Sequence, residues 1–408
     1  MSMPTKTVCV IGLGYIGLPT AALLAGKGYQ VIGVDVNPKT VETINKGQIH
    51  IVEPDLDAFV RSAVSSGKLK AQTEPANADI FIVCVPTPLS KEIDGIPQPD
   101  ISYVESAVKS LAPYLKQGNS VILESTSPVG TTAAMTEVLN GLGVDVSKLH
   151  IAYCPERVLP GKIMTELVEN DRVVGGMTPS ASEAVAEFYK TFVRGAVIET
   201  DAPTAEMCKL AENSYRDVNI AYANELSLIC ANSGINVTKL IELANRHPRV
   251  NILTPGVGVG GHCIAVDPWF VVAKDPVHAR LIHTARNVND YKTEWVISQV
   301  ASQIKALHTS LQRKPIVACF GLAFKPDIDD LRESPALLVT EQIAKMECDL
   351  VVIEPNIEQH DSFILCDPIK AYNSADLLVF LVKHRQFMDL VKRTDLSYKT
   401  MLDYCGIL

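Results

Sequence analysis

The chain has 408 residues, with 37 Lys and Arg against 46 Asp and Glu, a net charge of −9. No basic excess exists to neutralise a phosphate backbone, which excludes nucleic-acid binding by that route; a local cationic pocket for an anionic small molecule stays open. Hydrophobic content of 47% excludes general disorder, and the length predicts two or three domains whose cores need no disulfide or metal.

The first half alternates short apolar runs with longer helical stretches. Thr7–Ile11, Val31–Asp35, Ile80–Val85, Val121–Glu124 and Ile151–Cys154 read as buried strands bounded by turn residues. Alternation of this kind predicts a parallel, doubly wound sheet. Residues 8–25 are nearly uncharged and long enough to resemble a membrane span, but Gly12, Gly14, Gly17 and Pro19 fit a strand, a glycine turn and a buried helix better. No membrane segment and no signal peptide are expected. None of the ten cysteines shows C-x-x-C spacing, so no metal site is expected, and reduced, buried thiols of a cytoplasmic protein are.

Gly12-Leu13-Gly14-Tyr15-Ile16-Gly17 is G-x-G-x-x-G between a strand and a helix. The first glycine permits a tight turn, the second lets backbone N–H groups approach a pyrophosphate, and the third lets helix and strand pack closely. Asp35 ends the next strand, where a carboxylate can bind ribose hydroxyls and repels a 2′-phosphate, so NAD is expected over NADP. Pro86-Thr87-Pro88 and Ser125-Thr126 follow two other strands; they read equally as cofactor contacts and as plain turns.

Near residue 200 the pattern changes. From Pro203 to Asn232 apolar residues recur at helical spacing with no interruption, which predicts one long helix ending before Gly234. Lys209, Asn213 and Arg216 share a face of it, forming either a charged pocket or a solvated surface. Glu156-Arg157 and His247-Pro248-Arg249 are two further polar clusters. The loop Gly256–Gly261 holds four glycines in six residues, which suggests close approach to a ligand. Cys263 leaves that loop with His262 and Asp267 nearby: a nucleophile that its neighbours help to ionise, or an incidental thiol on a hinge. After a further helical stretch, Ile316–Phe320, Leu350–Glu354 and Leu377–Val382 predict a second, smaller α/β domain.

Six segments together resemble the UDP-sugar 6-dehydrogenases of the UDP-glucose/GDP-mannose dehydrogenase family across essentially the whole chain. They are GLGYIGLP (12–19), ESTSPVGTT (124–132), CPER (154–157), EMCKLAENSYRDVNIA (206–221), GVGGHCIAVDP (258–268) and GLAFKPDIDDLRESPA (321–336). The resemblance implies two Rossmann-like doubly wound α/β domains joined by a long central helix. Their expected bounds are 1–200 for NAD, 201–305 for the central helical part with the dimer interface, and 306–408 for the UDP-sugar. It further implies a cytoplasmic, NAD-dependent four-electron oxidation of a UDP-sugar at C6. HPRVN (247–251) and HCIAVDPW (262–269) resemble most the members acting on UDP-N-acetyl-D-mannosamine, with UDP-N-acetylglucosamine or UDP-glucose as the alternative. By the same resemblance Cys263 is the nucleophile, Lys209 the general acid/base, Asn213 its neighbour, Asp267 an acid/base or water-activating residue, and Glu156 a participant in thioester hydrolysis. Arg157, Val158, Lys209, Asn213, Arg216, His247, Arg249, Gly260 and Lys325 fall at substrate positions. Gly12, Gly14, Tyr15, Ile16, Gly17, Asp35, Thr87, Thr126 and Arg332 fall at cofactor positions. A homodimer is implied, with Arg249 reaching the partner subunit's site; no nucleic-acid or membrane partner is expected.

Overall fold

Strands flanked by strands and covered on both faces must be apolar on both faces, and the central strands of this chain are. The computed structural model describes residues 6–261, 263–394 and 398–408. The chain divides into two units, residues 1–212 with 269–274, and residues 213–268 with 275–408.

The first unit is built on β1 (Thr7–Ile11), β2 (Gln30–Val34), β3 (Leu69–Gln72), β4 (Ile80–Val83), β7 (Ser120–Leu123), β8 (His150–Tyr153), β9 (Arg172–Gly176) and β10 (Val197–Asp201), with a separate hairpin of β5 (Leu89–Ile93) and β6 (Ile96–Pro99). The sheet order is β10-β9-β8-β7-β4-β1-β2-β3, parallel except for the short β8–β9 pairing. Alternate residues feed opposite faces. Val8, Val10, Ile80 and Ile82 join one core, which the helices Gly17–Gly26 and Leu56–Ser65 cover. Cys9, Ile11, Phe81 and Val83 join the other, against Ser102–Leu111 and Thr131–Gly141. Strand order reverses between β1 and β4, so the loops after these strands line the crevice where doubly wound sheets bind ligands.

The second unit repeats the scheme with β11 (Ile316–Phe320), β12 (Asp349–Ile353), β13 (Leu377–Phe380) and β14 (Thr400–Asp403), all parallel, in the order β12-β11-β13-β14. Val317, Cys319, Leu377 and Val379 pack with Val296, Val300 and Ile304, while Ala318, Phe320, Leu378 and Phe380 pack with Phe387.

The strands expected from the apolar runs stand within two residues of their expected ends, and the long helix runs Ala202–Ser233, stopping at Gly234 with φ +68°. Unforeseen are β3, β9, β10, β14 and the β5–β6 hairpin; the helical stretch expected before Ile316 is a second 32-residue helix, Arg280–Leu311. Residues 8–25 form β1, the glycine turn and a buried helix, as the glycines suggested. Among the described residues no helix is long and apolar enough to cross a membrane. Of the cysteines, five are buried and four half-buried; Cys263 alone is exposed.

Candidate active site

The glycine turn has the shape a dinucleotide requires. Gly12 has φ +88°, and a Cβ there would lie 2.6 Å from the Cys84 carbonyl oxygen. A Cβ at Gly17 would strike the Gly12 carbonyl, so helix and turn close on each other. A Cβ at Gly14 would meet nothing within 4 Å, which is the open side that a pyrophosphate would use. No side chain caps the helix that starts at Gly17, and its first turn carries no acid, so its dipole favours an anion. Asp35, just past β2, accepts from the N–H of Leu13 at 3.1 Å and of Asn37 at 2.9 Å and is half-buried. These residues fit NAD. Tyr15 is exposed and Ile16 half-buried at the turn's tip.

The neighbouring loops are tied together. Thr87 Oγ1 donates to the Thr126 carbonyl at 2.5 Å, and Ser125 Oγ donates to the Val85 carbonyl at 2.6 Å. Glu206, fully buried on the long helix, accepts from the N–H groups of Gly130 and Thr132 and from Thr132 Oγ1, at 2.6, 2.8 and 2.6 Å. It thereby caps the helix Thr131–Gly141 from outside.

CPER follows β8. Glu156 is buried; its Oε1 accepts from the Arg157 N–H at 2.6 Å, and its Oε2 lies 2.6 Å from Arg172 Nη1. Beside this pair, Glu124 accepts from Tyr189 OH at 2.5 Å and from Cys84 Sγ at 3.3 Å. Burial raises the Glu124 carboxyl, and the Arg172 charge offsets this only in part. Arg157 is half-exposed and paired with Glu212 at 2.7 Å; Val158 packs on the first core.

In the second unit the glycine loop is pinned at both ends. Gly256 N–H donates to Asn224 Oδ1 at 2.9 Å, Thr293 Oγ1 donates to the Val257 carbonyl at 2.8 Å, and Gly261 N–H donates to the Arg332 carbonyl at 3.1 Å. A Cβ at Gly260 would lie 2.5 Å from the Glu333 carbonyl oxygen and 2.7 Å from Phe324 Cβ. The loop's glycines therefore serve close packing against the segment 321–336, not only approach to a ligand. Beyond it, the Cys263 carbonyl accepts from the Asp267 N–H at 2.8 Å. Asp267, buried, accepts from Asn213 Nδ2 at 2.5 Å. His262 lies outside the described residues.

The polar face of the long helix divides. Lys209 and Asn213, one turn apart, are buried, whereas Arg216 is exposed. His247, Arg249 and Lys325 are exposed, and the exposed Arg332 pairs with Asp330 at 2.6 Å.

Sequence reasoning did not single out a buried polar network between the two long helices. Asp217 Oδ1 accepts from Arg286 Nη1 and from Asn289 Nδ2, both at 2.8 Å, and Asn289 Oδ1 accepts from Asn224 Nδ2 at 2.9 Å. Lys292 Nζ donates to Ser227 Oγ at 2.7 Å and sits 4.4 Å above the Trp295 ring. It also did not find the clamp on the loop after β11. Glu354 Oε2 accepts from the N–H groups of Leu322 and Ala323 and from His384 Nε2, and His384 Nδ1 accepts from the Asp327 N–H at 2.9 Å. Burial acts to raise the Glu354 carboxyl, but the bonds from His384 and Leu322 outweigh it and hold it below the usual carboxylate range. Polar residues at three- and four-residue spacing on apolar helices were the available signal for the first network; nothing local in the sequence marks the second.

Comparison with known proteins places these features. Residues 6–193 match the NAD binding domain of the UDP-glucose/GDP-mannose dehydrogenase family, residues 203–291 its central domain, and residues 318–408 its UDP binding domain. A UDP-N-acetyl-D-mannosamine dehydrogenase of Yersinia pestis is 54% identical over 99% of this chain and 100% of its own length. An NDP-N-acetyl-D-galactosaminuronic acid dehydrogenase of Ralstonia nicotianae is 53% identical over 94% of this chain and 92% of its own. The solved UDP-N-acetyl-mannosamine dehydrogenase of Staphylococcus aureus is 43% identical with a TM-score of 0.85, covering 99% of this chain and 95% of that one. With its glycine turn, its loop-borne cysteine and all three domains matched, the chain belongs to the UDP-glucose/GDP-mannose dehydrogenase family.

Proposed function

We propose that this enzyme oxidises UDP-N-acetyl-D-mannosamine at C6 to UDP-N-acetyl-D-mannosaminuronate, a four-electron reaction passing through covalent adducts of Cys263. The observation that carries the reading is that Cys263, the one exposed cysteine, leaves a pinned glycine loop four residues before a buried Asp267 that Asn213 holds. Bound NAD supplies the hydride acceptor for each of the two oxidations. Lys209 takes the proton of the C6 hydroxyl as the alcohol becomes an aldehyde, and its ammonium with the Asn213 amide steadies negative charge on that oxygen. The Cys263 thiolate then forms a C–S bond to the aldehyde carbon. The Lys209 ammonium returns its proton to the oxygen, and the thiohemiacetal so made can lose a second hydride, which the aldehyde does not readily do, while Lys209 takes the hydroxyl proton again, leaving a thioester. Water adds, the C–S bond breaks, and the uronate leaves with the thiolate restored; Asp267 is the base for that water.

Asp35 and Arg332 with the 12–17 turn, Thr87 and Thr126 complete the cofactor contacts, while Arg157, Val158, Arg216, His247, Arg249, Gly260 and Lys325 complete the substrate contacts. The chain works as three parts, 1–200, 201–305 and 306–408, in a cytoplasmic homodimer in which Arg249 reaches into the partner subunit's site. Tyr215, Tyr222 and Ile229, exposed at seven-residue spacing on the long helix, support a partner there. Tight identity to a relative named for another N-acetylated sugar makes UDP-N-acetyl-D-galactosamine the second candidate substrate.

The test is stoichiometry. Excess NAD with a limiting UDP-sugar should give two NADH per UDP-N-acetyl-D-mannosamine and little from UDP-N-acetylgalactosamine, UDP-N-acetylglucosamine or UDP-glucose. One NADH per sugar would remove the thioester, and two from another sugar would move the substrate.

A further inference from the structure

Residues 157–163 lead from CPER into the helix Ile163–Glu169, and two carboxylates hold their backbone. Glu53 reaches them from 108 residues away in sequence. Its neighbours Ile51 and Leu56 are buried in the same core as Ile163, Met164 and Leu167, and Glu53 itself is 5% exposed. Its Oε2 accepts from the Gly161 N–H and its Oε1 from the Ile163 N–H, both at 2.8 Å. Glu166 Oε2 accepts from the Leu159 N–H at 2.7 Å, and the Lys162 N–H donates to the Leu159 carbonyl at 3.0 Å, closing a turn in which Gly161 has φ +89°. Capping the helix would take only the bond at Ile163, its first residue; the second oxygen of Glu53 goes to Gly161, inside the turn. Because Glu53 is itself seated in the core, its two bonds fix the place of the turn as well as its shape.

We infer that Glu53, with Glu166, is a positioning residue for the UDP-sugar: through the backbone of Leu159, Gly161 and Ile163 the two carboxylates fix the turn that follows Arg157 and Val158, and so set where those two residues meet the substrate. The inference rests on the function proposed above, which puts Arg157 and Val158 at the sugar nucleotide. A carboxylate suits the place of Glu53 because it offers two acceptor oxygens; an amide of the same size offers one and turns an NH2 donor toward the other N–H.

The experiment compares Glu53→Gln and Glu166→Ala with the wild type by steady-state kinetics, by hydrogen exchange, and by calorimetric titration of UDP-N-acetyl-D-mannosamine without NAD, where no turnover occurs. Glu53→Gln should raise both the KM and the Kd of the sugar nucleotide at least about tenfold, since a buried N–H loses a charged acceptor, with kcat kept within about threefold and the Kd of NAD within about twofold. Amide exchange should quicken across residues 157–163 and stay slow in the central strands of the same unit. Glu166→Ala, which frees the N–H of the exposed Leu159 without opening the core, should raise the KM about threefold. Wild-type affinity for the UDP-sugar in folded Glu53→Gln overturns the inference. So does an equal weakening of NAD and UDP-sugar, which a general loosening of the unit would give. Should Glu53→Gln fail to fold, Glu166→Ala decides, and a wild-type KM there overturns the inference. Failure of the parent reading shows separately, as no NADH from any UDP-sugar with the wild-type chain, and exchange across residues 157–163 in the variants still reports whether the carboxylates hold the turn.

Discussion

Lys292 tests the energetics of the helix pair that carries the glycine loop. It is 3% exposed, and it meets Ser227 and the faces of Trp295 and Tyr404. Burial pushes its ammonium down from 10.5 to about 8. That drop corresponds to about 3 kcal/mol by which folding disfavours the charged form. Below pH 8 both folded and unfolded chains hold the proton and the penalty is fully present. Between about 8 and 10.5 the unfolded chain keeps a proton the folded chain has lost, so stability rises with pH, and above 10.5 the penalty is gone. Lys292→Met should therefore gain about 3 kcal/mol at pH 7, since Ser227 still donates to the Asn224 carbonyl, and the gain should fade by pH 10.5. Urea unfolding at pH 7, 8, 9 and 10, in a Trp269→Phe background so that Trp295 alone reports, measures the difference between lysine and methionine and cancels other groups that titrate there. A difference that is flat with pH, or a loss of stability at pH 7, would refute the reasoning.

Gly14→Ala should leave the melting temperature unchanged, because its Cβ meets nothing, yet raise the KM for NAD at least about tenfold; Gly17→Ala should cost about 3 kcal/mol or more, seen in thermal denaturation, because its Cβ strikes the Gly12 carbonyl. Glu206→Ala leaves buried N–H groups of Gly130 and Thr132 without their acceptor and should cost about 3 kcal/mol by chemical denaturation, while Glu206→Gln, which keeps an acceptor oxygen, should cost less than half of that. His384→Leu frees the Asp327 N–H and one bond to Glu354, loosening the loop that carries Lys325; the KM for the UDP-sugar should rise about tenfold with kcat nearly kept, and isothermal titration with UDP should show the same loss.

What was legible follows from where a strand or helix stands. β4 and β7 are buried along their whole length and read as continuous apolar runs. β3, with the pattern LKAQ, and β10, with VIETD, stand at the two edges of the same sheet and bury only part of their length, so no run of β-branched residues announces them. β9 hides for another reason. Its Gly175 and Gly176 look like a loop, yet a Cβ at Gly175 would press on Ala205 and one at Gly176 on Ser182 Oγ, so close packing, not a turn, requires them. The helical stretch before Ile316 was expected, but the extent of Arg280–Leu311 was obscured because Arg286, Asn289 and Lys292 are polar residues on its buried face, each answered by a partner distant in sequence. Of the candidate site, the backbone features were readable: the glycine turn, the glycine loop and the long helix. The charge partners were not, since the link between Glu156 and Arg172 exists only once β8 and β9 are paired.

The two Rossmann-like sheets show the same limit from the other side. Gly12 N–H donates to the Val34 carbonyl and Gly321 N–H to the Ile353 carbonyl, both at 2.8 Å, with φ of +88° and +102°. Each turn is followed by a backbone N–H given to an acid just past the second strand, Leu13 to Asp35 and Leu322 to Glu354. The first acid remains half-buried at the crevice, where a ribose could compete for it. The second is 3% exposed and takes Ala323 and His384 as well, so its acceptor capacity is spent inside the fold. One backbone plan thus leaves a half-buried carboxylate past the second strand in one domain and a buried, structural one in the other. The difference lies in a histidine thirty residues further on, which no reading of the turn alone could supply. A carboxylate at the end of a second strand marks a ribose site only after its hydrogen bonds have been counted, and by that count the acid suited to a ribose is Asp35.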